Sequence, residues 1–414
     1  MVTRRQIRYS KQRTVIKMRN FKKLLCVVLV LLVALSAASC SISKSYAYQK
    51  DDIELPIGVY IYYLQKAYSE AQSYAQQSDK YDSTTGKYDG KKSFLKMEIT
   101  DDDKNTAIAE DWIKDKAKEY TQQAIAAMRE FNKLGATIDE LGPNDMISTI
   151  SPYAIYNQQT GQLDESLDQK LSEVAKTYEK YGIGFDSWLL CNSSLNLMKE
   201  AAFQKEYGEG GPKAVKDDEI KKYFTENYYS YTTISAPLYT TEAKKDADGN
   251  DTEETESKAL SDKEVKKYEE AFKGYAKDLK GGKSMDDVVA AYNKAFKAEA
   301  TASPSVTKIE KDTEDELSKT VLALKEGEAT YKIIGEDATT RSIYLIYKLP
   351  IKDSVSEYMD GDSKQSGLLH EMKDDDFDAL LKGIIEDGDA ELSSACNDYK
   401  PEMFEEKEKK TTTS

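Results

Sequence analysis

The apolar and polar positions divide the chain into an opening apolar run, a series of amphipathic helices and a strand-bearing stretch. Residues 24–35 read LLCVVLVLLVAL, with Arg19, Lys22 and Lys23 before them and Ala37-Ala38-Ser39-Cys40 after. No charge of either sign falls between Leu24 and Ser39. Basic residues, a short apolar run and small residues in that order predict a secretory signal over residues 1–39. The run is about 15 residues even with Ala37 and Ala38 counted, against the roughly 20 that a lipid-spanning helix needs. A single uncleaved membrane anchor is the alternative reading.

Residues 40–55 read as a tether. A helix is expected from Pro56 to about Gln77, because proline at a helix start gives up only an N–H that would be unpaired anyway. Tyr60, Tyr62, Tyr63, Tyr68 and Tyr74 make it aromatic. Residues 78–92 are polar and read as a loop. Ile108, Trp112, Ile113, Tyr120, Ala124, Met128 and Phe131 then recur at three- and four-residue steps, which predicts a helix over about 106–134 stopped by Gly135. Amphipathic patterns return at 163–181 and 185–207, the second carrying Trp188, Leu195 and Phe203. Gly208, Gly210, Gly211 and Pro212 interrupt the chain, and Asp217–Asn227 reads as a short helix with an acidic first turn. Residues 56–227 are thus expected to form a helical N-terminal domain.

From Tyr228 the composition changes. YYSYTTISAPLYTT over 228–241 reads as extended, although Pro237 argues against an uninterrupted central strand. Residues 242–257 are acidic, lack an apolar anchor and read as a flexible insertion. Helices are expected at 261–279, at 284–296 with Ser284 as cap, and at 312–325, with a polar link over 298–307. Strands are expected at 331–334 and 342–349. This order predicts a compact α+β module over 228–350. Residues 351–400 return to helix, with fragments at 368–372 and 377–385, and 401–414 form a charged tail.

The 414 residues are 39% apolar, enough for two or three domains. The formal charge is −15, but nine of the 59 basic residues lie in the first 23. From Cys40 onward the chain carries 50 basic and 74 acidic residues, which argues against a nucleic-acid binder. His370 is the one histidine, which weakens zinc-enzyme and histidine-base chemistry; its simplest role is packing or surface. An EF-hand fails because Gly249 falls at position four of a loop starting at Asp246. No nucleophile elbow, phosphate loop or dinucleotide fingerprint is present, so no catalytic residue, cofactor or metal is expected. Cys26 leaves with the signal. Cys191 and Cys396, 205 residues apart, either pair as one disulfide or stand independently.

Two resemblances follow. Ala37-Ala38-Ser39-Cys40 resembles a bacterial lipobox, which implies that Cys40 carries a lipid and begins the mature chain. The mature chain resembles the bacterial lipoprotein foldases of the PrsA and SurA type. Asp218–Phe224 resembles the helix leading into their isomerase domain, and Thr233-Ile234-Ser235-Ala236 its first strand. Leu279–Val288 resembles a helix junction, Leu324–Glu328 the loop before the last hairpin, and Ile343–Tyr347 the closing strand. The resemblance implies an α+β fold: a predominantly helical chaperone domain with an inserted, degenerate parvulin-like module. It implies residence on the extracytoplasmic face of a bacterial membrane, anchored through Cys40, and partners that are unfolded or partly folded exported proteins.

The module departs from active parvulins in having no histidine, so prolyl isomerase activity is expected to be weak or absent. The expected activity is that of a foldase or holdase. The alternative is a non-catalytic surface lipoprotein whose module binds one specific partner. Candidate client contacts are Tyr60, Tyr63, Trp112, Phe131, Trp188, Phe203, Tyr331 and Tyr344, with core packing the competing role for most of them.

Overall fold

A computed structural model describes residues 45–51, 53–138, 141, 156–157, 162–163, 176–245, 251–310, 312–359 and 362–405. The signal segment, Cys40, most of the helix expected at 163–181 and the tail beyond 405 lie outside the described residues. Two compact units form, one inserted in the other: residues up to Val215 together with those from Leu369, and Lys216–Leu368. Both borders differ from the sequence expectation. The helix at 217–227 and the segment 351–368 belong to the inserted unit, where Phe224 packs on Tyr228 and Tyr358 at ring-centroid distances of 5.1 and 4.4 Å.

The first unit starts with β1 (Tyr46–Lys50) and β2 (Ile53–Pro56), an antiparallel hairpin. The expected tether is therefore already core at Ala47, whose carbonyl accepts the Ser393 N–H at 2.8 Å. Helix α1 (Ile57–Gln77) buries Val59, Tyr60, Leu64, Ala67, Ala71 and Ala75 along one stripe. Between α1 and the next helix lie β3 (Tyr81–Asp82), β4 (Lys87–Tyr88), β5 (Glu98–Thr100) and β6 (Thr106–Ile108), so the expected loop holds short paired strands. Helix α2 (Ala109–Leu134) buries Ala109, Ile113, Ala117 and Ile125, and small residues on both helices let them pack closely. Gly135 ends α2 at φ +59°, the left-handed stop that glycine allows. A short pair, β7 (Tyr156–Asn157) and β8 (Gln162–Leu163), follows.

The helix expected over 185–207 is α3 (Phe185–Leu189), a π-turn (Leu190–Ser194) and α4 (Leu195–Tyr207). The cause is local: Asn192 Nδ2 donates to the Trp188 carbonyl at 2.7 Å and Ser193 Oγ to that of Leu189 at 2.8 Å, competing with regular helix bonds.

The second unit opens with α5 (Asp217–Asn227) and β9 (Tyr228–Pro237). The acidic insertion is ordered where described, as a ribbon of β10 (Tyr239–Lys245) and β11 (Asp251–Ala259). Helices α6 (Asp262–Lys280) and α7 (Met285–Phe296) follow, the second capped by Ser284 as expected and the first by Ser261, whose hydroxyl accepts the Glu264 N–H. Part of the polar link pairs as an edge strand, β12 (Ser305–Lys308), before α8 (Glu316–Ala323), β13 (Ala329–Ile334) and β14 (Ser342–Leu349). The four-stranded sheet has the order β12-β9-β14-β13, antiparallel throughout. Pro237 fits because it is the last residue of central strand β9.

After α9 (Val355–Met359), the two expected fragments are one helix, α10 (Asp362–Glu386). Its Leu369, Phe377 and Leu381 close a core with Ala126, Ala127, Ala202, Phe203 and Tyr207 of the first unit. Phe404 is also buried, its ring 4.9 Å from that of Tyr181.

Candidate functional site

The sheet of the inserted unit has two unlike faces. Ile234, Ala236, Ile343, Leu345 and Ala329 form one with Phe272, Ala276, Leu279, Val288 and Tyr292 of α6 and α7. The other holds Tyr229 and Ile346 under Val321, with Tyr231, Tyr344 and Leu317 half-buried around them. Helix α8 has only eight residues and covers one end of this second face. Ser235 is exposed and Thr233 half-buried there; they pair across the strands with Tyr344 and Ile346. The result is a small, partly open patch of two hydroxyls, a phenol and aliphatic surface on the two central strands.

Its side chains offer hydroxyls and ring surface. An isomerase must twist and desolvate an X-Pro amide whose barrier is ~20 kcal/mol. Thr233 and Ser235 can meet a peptide backbone, and the ring of Tyr344 offers apolar area. Nearby groups are committed elsewhere: Tyr229 Oη donates to Ser318 Oγ at 2.9 Å and Lys348 Nζ to the Leu324 carbonyl at 2.8 Å. Burial pushes the Tyr231 phenol up and the Lys348 ammonium down from their ordinary pKa values.

The first unit offers a belt of half-buried aromatic rings around α1. Tyr62 lies 5.7 Å from Tyr63, Tyr63 5.9 Å from Tyr120, and Tyr74 5.6 Å from Trp112. Their polar ends are tied inward: Tyr62 Oη donates to Asn192 at 2.7 Å, Tyr120 Oη to Glu70 at 2.7 Å, and Trp112 Nε1 to Asp101 at 3.2 Å. The ring surfaces, not the hydroxyls, are what this belt presents.

The predicted contact residues therefore separate. Tyr60, Trp188 and Phe203 are core, at 6%, 2% and 1% exposure. Tyr63, Trp112 and Phe131 are half-buried against the first unit's cores. Tyr331 and Tyr344 do not meet: Tyr331 pairs with Leu345 on the helix-packed face, and Tyr344 with Lys332 on the other. Cys191 and Cys396 are buried free thiols, so no disulfide joins them. Cys191 is bonded to Tyr63, and burial pushes its thiol far above the usual range. Cys396 Sγ faces the Ala47 carbonyl at 3.9 Å. Sequence reasoning missed Thr233 and Ser235 as contact residues, although the alternation in Thr233-Ile234-Ser235-Ala236 signals which side chains face away from the core.

Among the described residues no helix is long and apolar enough to cross a membrane, and no group of three histidine, cysteine or acidic residues could hold a metal. Thr233–Ala236 lies in β9, Leu279–Val288 spans the α6–α7 turn, Leu324–Glu328 precedes the β13–β14 hairpin, and Ile343–Tyr347 lies in β14. No protein-family model matches the chain, and neither a curated protein nor a solved structure matches it.

Proposed function

We propose that the chain is a lipid-anchored, extracytoplasmic folding helper for exported proteins, resembling the PrsA and SurA type, whose inserted module binds chain segments with little or no isomerase activity. One observation carries the reading. A unit that, apart from its β10–β11 ribbon and flanking helices α5 and α9, runs strand–helix–helix–strand–helix–strand–strand with an antiparallel four-stranded sheet is inserted in a mostly helical unit that the chain re-enters through α10. The resemblance implies an insertion of this kind. The absence of histidine from residues 216–368 supports a binding role over catalysis. The signal-like leader and Cys40 support the location.

The test is aggregation of an exported protein diluted from denaturant, with residues 41–414 added at rising concentration. A dose-dependent delay is expected. No delay with any exported client would refute the reading.

A second reading has its own observation. Ile108 and Ile309, at 37% and 38% exposure, are the only large apolar side chains that count as exposed among the described residues. So sparse an apolar surface favours a module that binds one specific partner. A stable one-to-one complex with a folded protein, without any delay of aggregation, would select it.

A further inference from the structure

The chain's one histidine sits at an unusual junction. His370 lies on α10, and its ring stacks on Phe203 of α4 with centroids 4.0 Å apart and planes 7° from parallel. Nδ1 lies 2.7 Å from Asp374 Oδ1, one turn along α10. Nε2 lies 3.1 Å from Glu200 Oε1 and 3.0 Å from its Oε2, on α4. Ionised carboxylates only accept hydrogen bonds, whereas a neutral imidazole has one donor and one acceptor nitrogen. Both contacts are satisfied together only when both ring nitrogens carry protons. A cation over the Phe203 ring is favourable as well.

We propose that doubly protonated His370 is a latch that fastens α10 to α4, so that closure of this core depends on the proton occupancy of one imidazole. The surroundings hold the charge in place. Lys199 of α4 is engaged by Asp378 at 3.0 Å and still helps to hold Glu200 ionised, while Lys373 of α10 pairs with Asp376 at 2.7 Å. Helix α2 contributes Ala126 and Ala127 to the same core, and its Glu130 is paired with Lys133 at 2.9 Å. Burial alone would lower the His370 pKa; the hydrogen bonds and charge of Glu200, then Asp374, outweigh it and raise it from the ordinary 6.5 to about 9. Burial likewise opposes ionisation of Glu200, but His370 prevails and holds that carboxyl below its usual value.

The sign follows from linkage. Because the folded value lies above the unfolded one, the latch's contribution is complete below about 6.5 and is lost as pH rises through about 9. It is released by alkali and kept in mild acid, opposite to a histidine buried neutral. It also removes His370 as a general base at neutral pH, since neither nitrogen has a free lone pair.

A single histidine makes the test unambiguous. In the full mature chain, the His370 Cε1 resonance followed by NMR against pH should titrate with a midpoint near 9, and D374N should move that midpoint downward. In parallel, H370Q should melt below the parent at pH 7, with the gap closing by about pH 10.5. A parent midpoint near the ordinary 6.5, or a melting gap equal at both pH values, would overturn the latch. The titration of the parent stands even if H370Q does not fold.

Discussion

At the scale of single residues, a close juncture between elements of the first unit is where α1 packs on α3. A Cβ on Gly58 would stand 2.4 Å from Ser187 Oγ and 2.8 Å from Ser187 Cβ. Ser187 is buried and has little room to yield. Gly58→Ala should therefore cost about 1–3 kcal/mol, measured by denaturant unfolding, and Ser187→Gly should recover part of it. The two thiols make a separate prediction. Cys191 and Cys396 are both buried and unpaired, and burial raises the Cys396 thiol to about 11. A thiol reagent should label neither in native residues 41–414 and both in denaturant without reductant. Labelling of neither in denaturant would mean that the disulfide forms after all. These details were only partly legible beforehand. The His370–Asp374 spacing could be read as an i, i+4 pair on a helix, but Glu200, 170 positions away, could not. Helical periodicity put Trp188 and Phe203 on an apolar face without deciding between client contact and core, and burial makes them core, whereas the opposite facing of Tyr331 and Tyr344 needed the register of β13 on β14.

Among elements, the helices were the most readable, because period, caps and glycine stops all agree. Ser284 caps α7 and Gly135 stops α2 where their sequence context places them. What escaped was pairing between segments of low apolar content. Residues 46–50 and 305–308 have little strand signal alone and are strands through partners, β2 and β9. The acidic ribbon is the clearest case. Its described side chains beyond half-buried Tyr239 are exposed, and it sets Glu242 opposite Glu256, an unfavourable like-charge pair. Beyond its backbone ladder it is held by an exposed Lys244–Glu254 pair at 2.9 Å. Its base is closed already, since the Leu260 N–H donates to the Leu238 carbonyl at 3.0 Å. Replacing residues 240–258 with a two-residue turn should thus leave the module folded, with a melting temperature within about 2 °C of the parent. A large loss would show that the ribbon contributes to the core.

For the whole molecule, the change of composition at Tyr228 and the return to helix near 351 marked a separate module, its insertion was what the resemblance implied, and its borders were not legible. Phe224 and Tyr358 lie on helices that the sequence assigns to the outer domain, yet their rings pack together and on Tyr228 inside the inserted unit. Helix α10 likewise runs from one unit into the other without a break in its pattern. Across the first unit, the beginning and end of the described chain are joined. Tyr48 Oη donates to the Asp389 carbonyl at 2.9 Å, and Arg129 pairs with Asp51 at 3.1 Å and Asp389 at 3.4 Å. A chain held by lipid at Cys40 would thus pull on a strand that is part of the core. The central claim is that this molecule binds chains that are folding rather than catalysing one bond rotation. The most direct measurement is the refolding of a proline-limited exported protein with residues 41–414 present, with refolding rate and light scattering recorded together. The account predicts reduced scattering with the slow proline phase unchanged or nearly so. Scattering that rises as in buffer alone, at every ratio of chain to client, would contradict it.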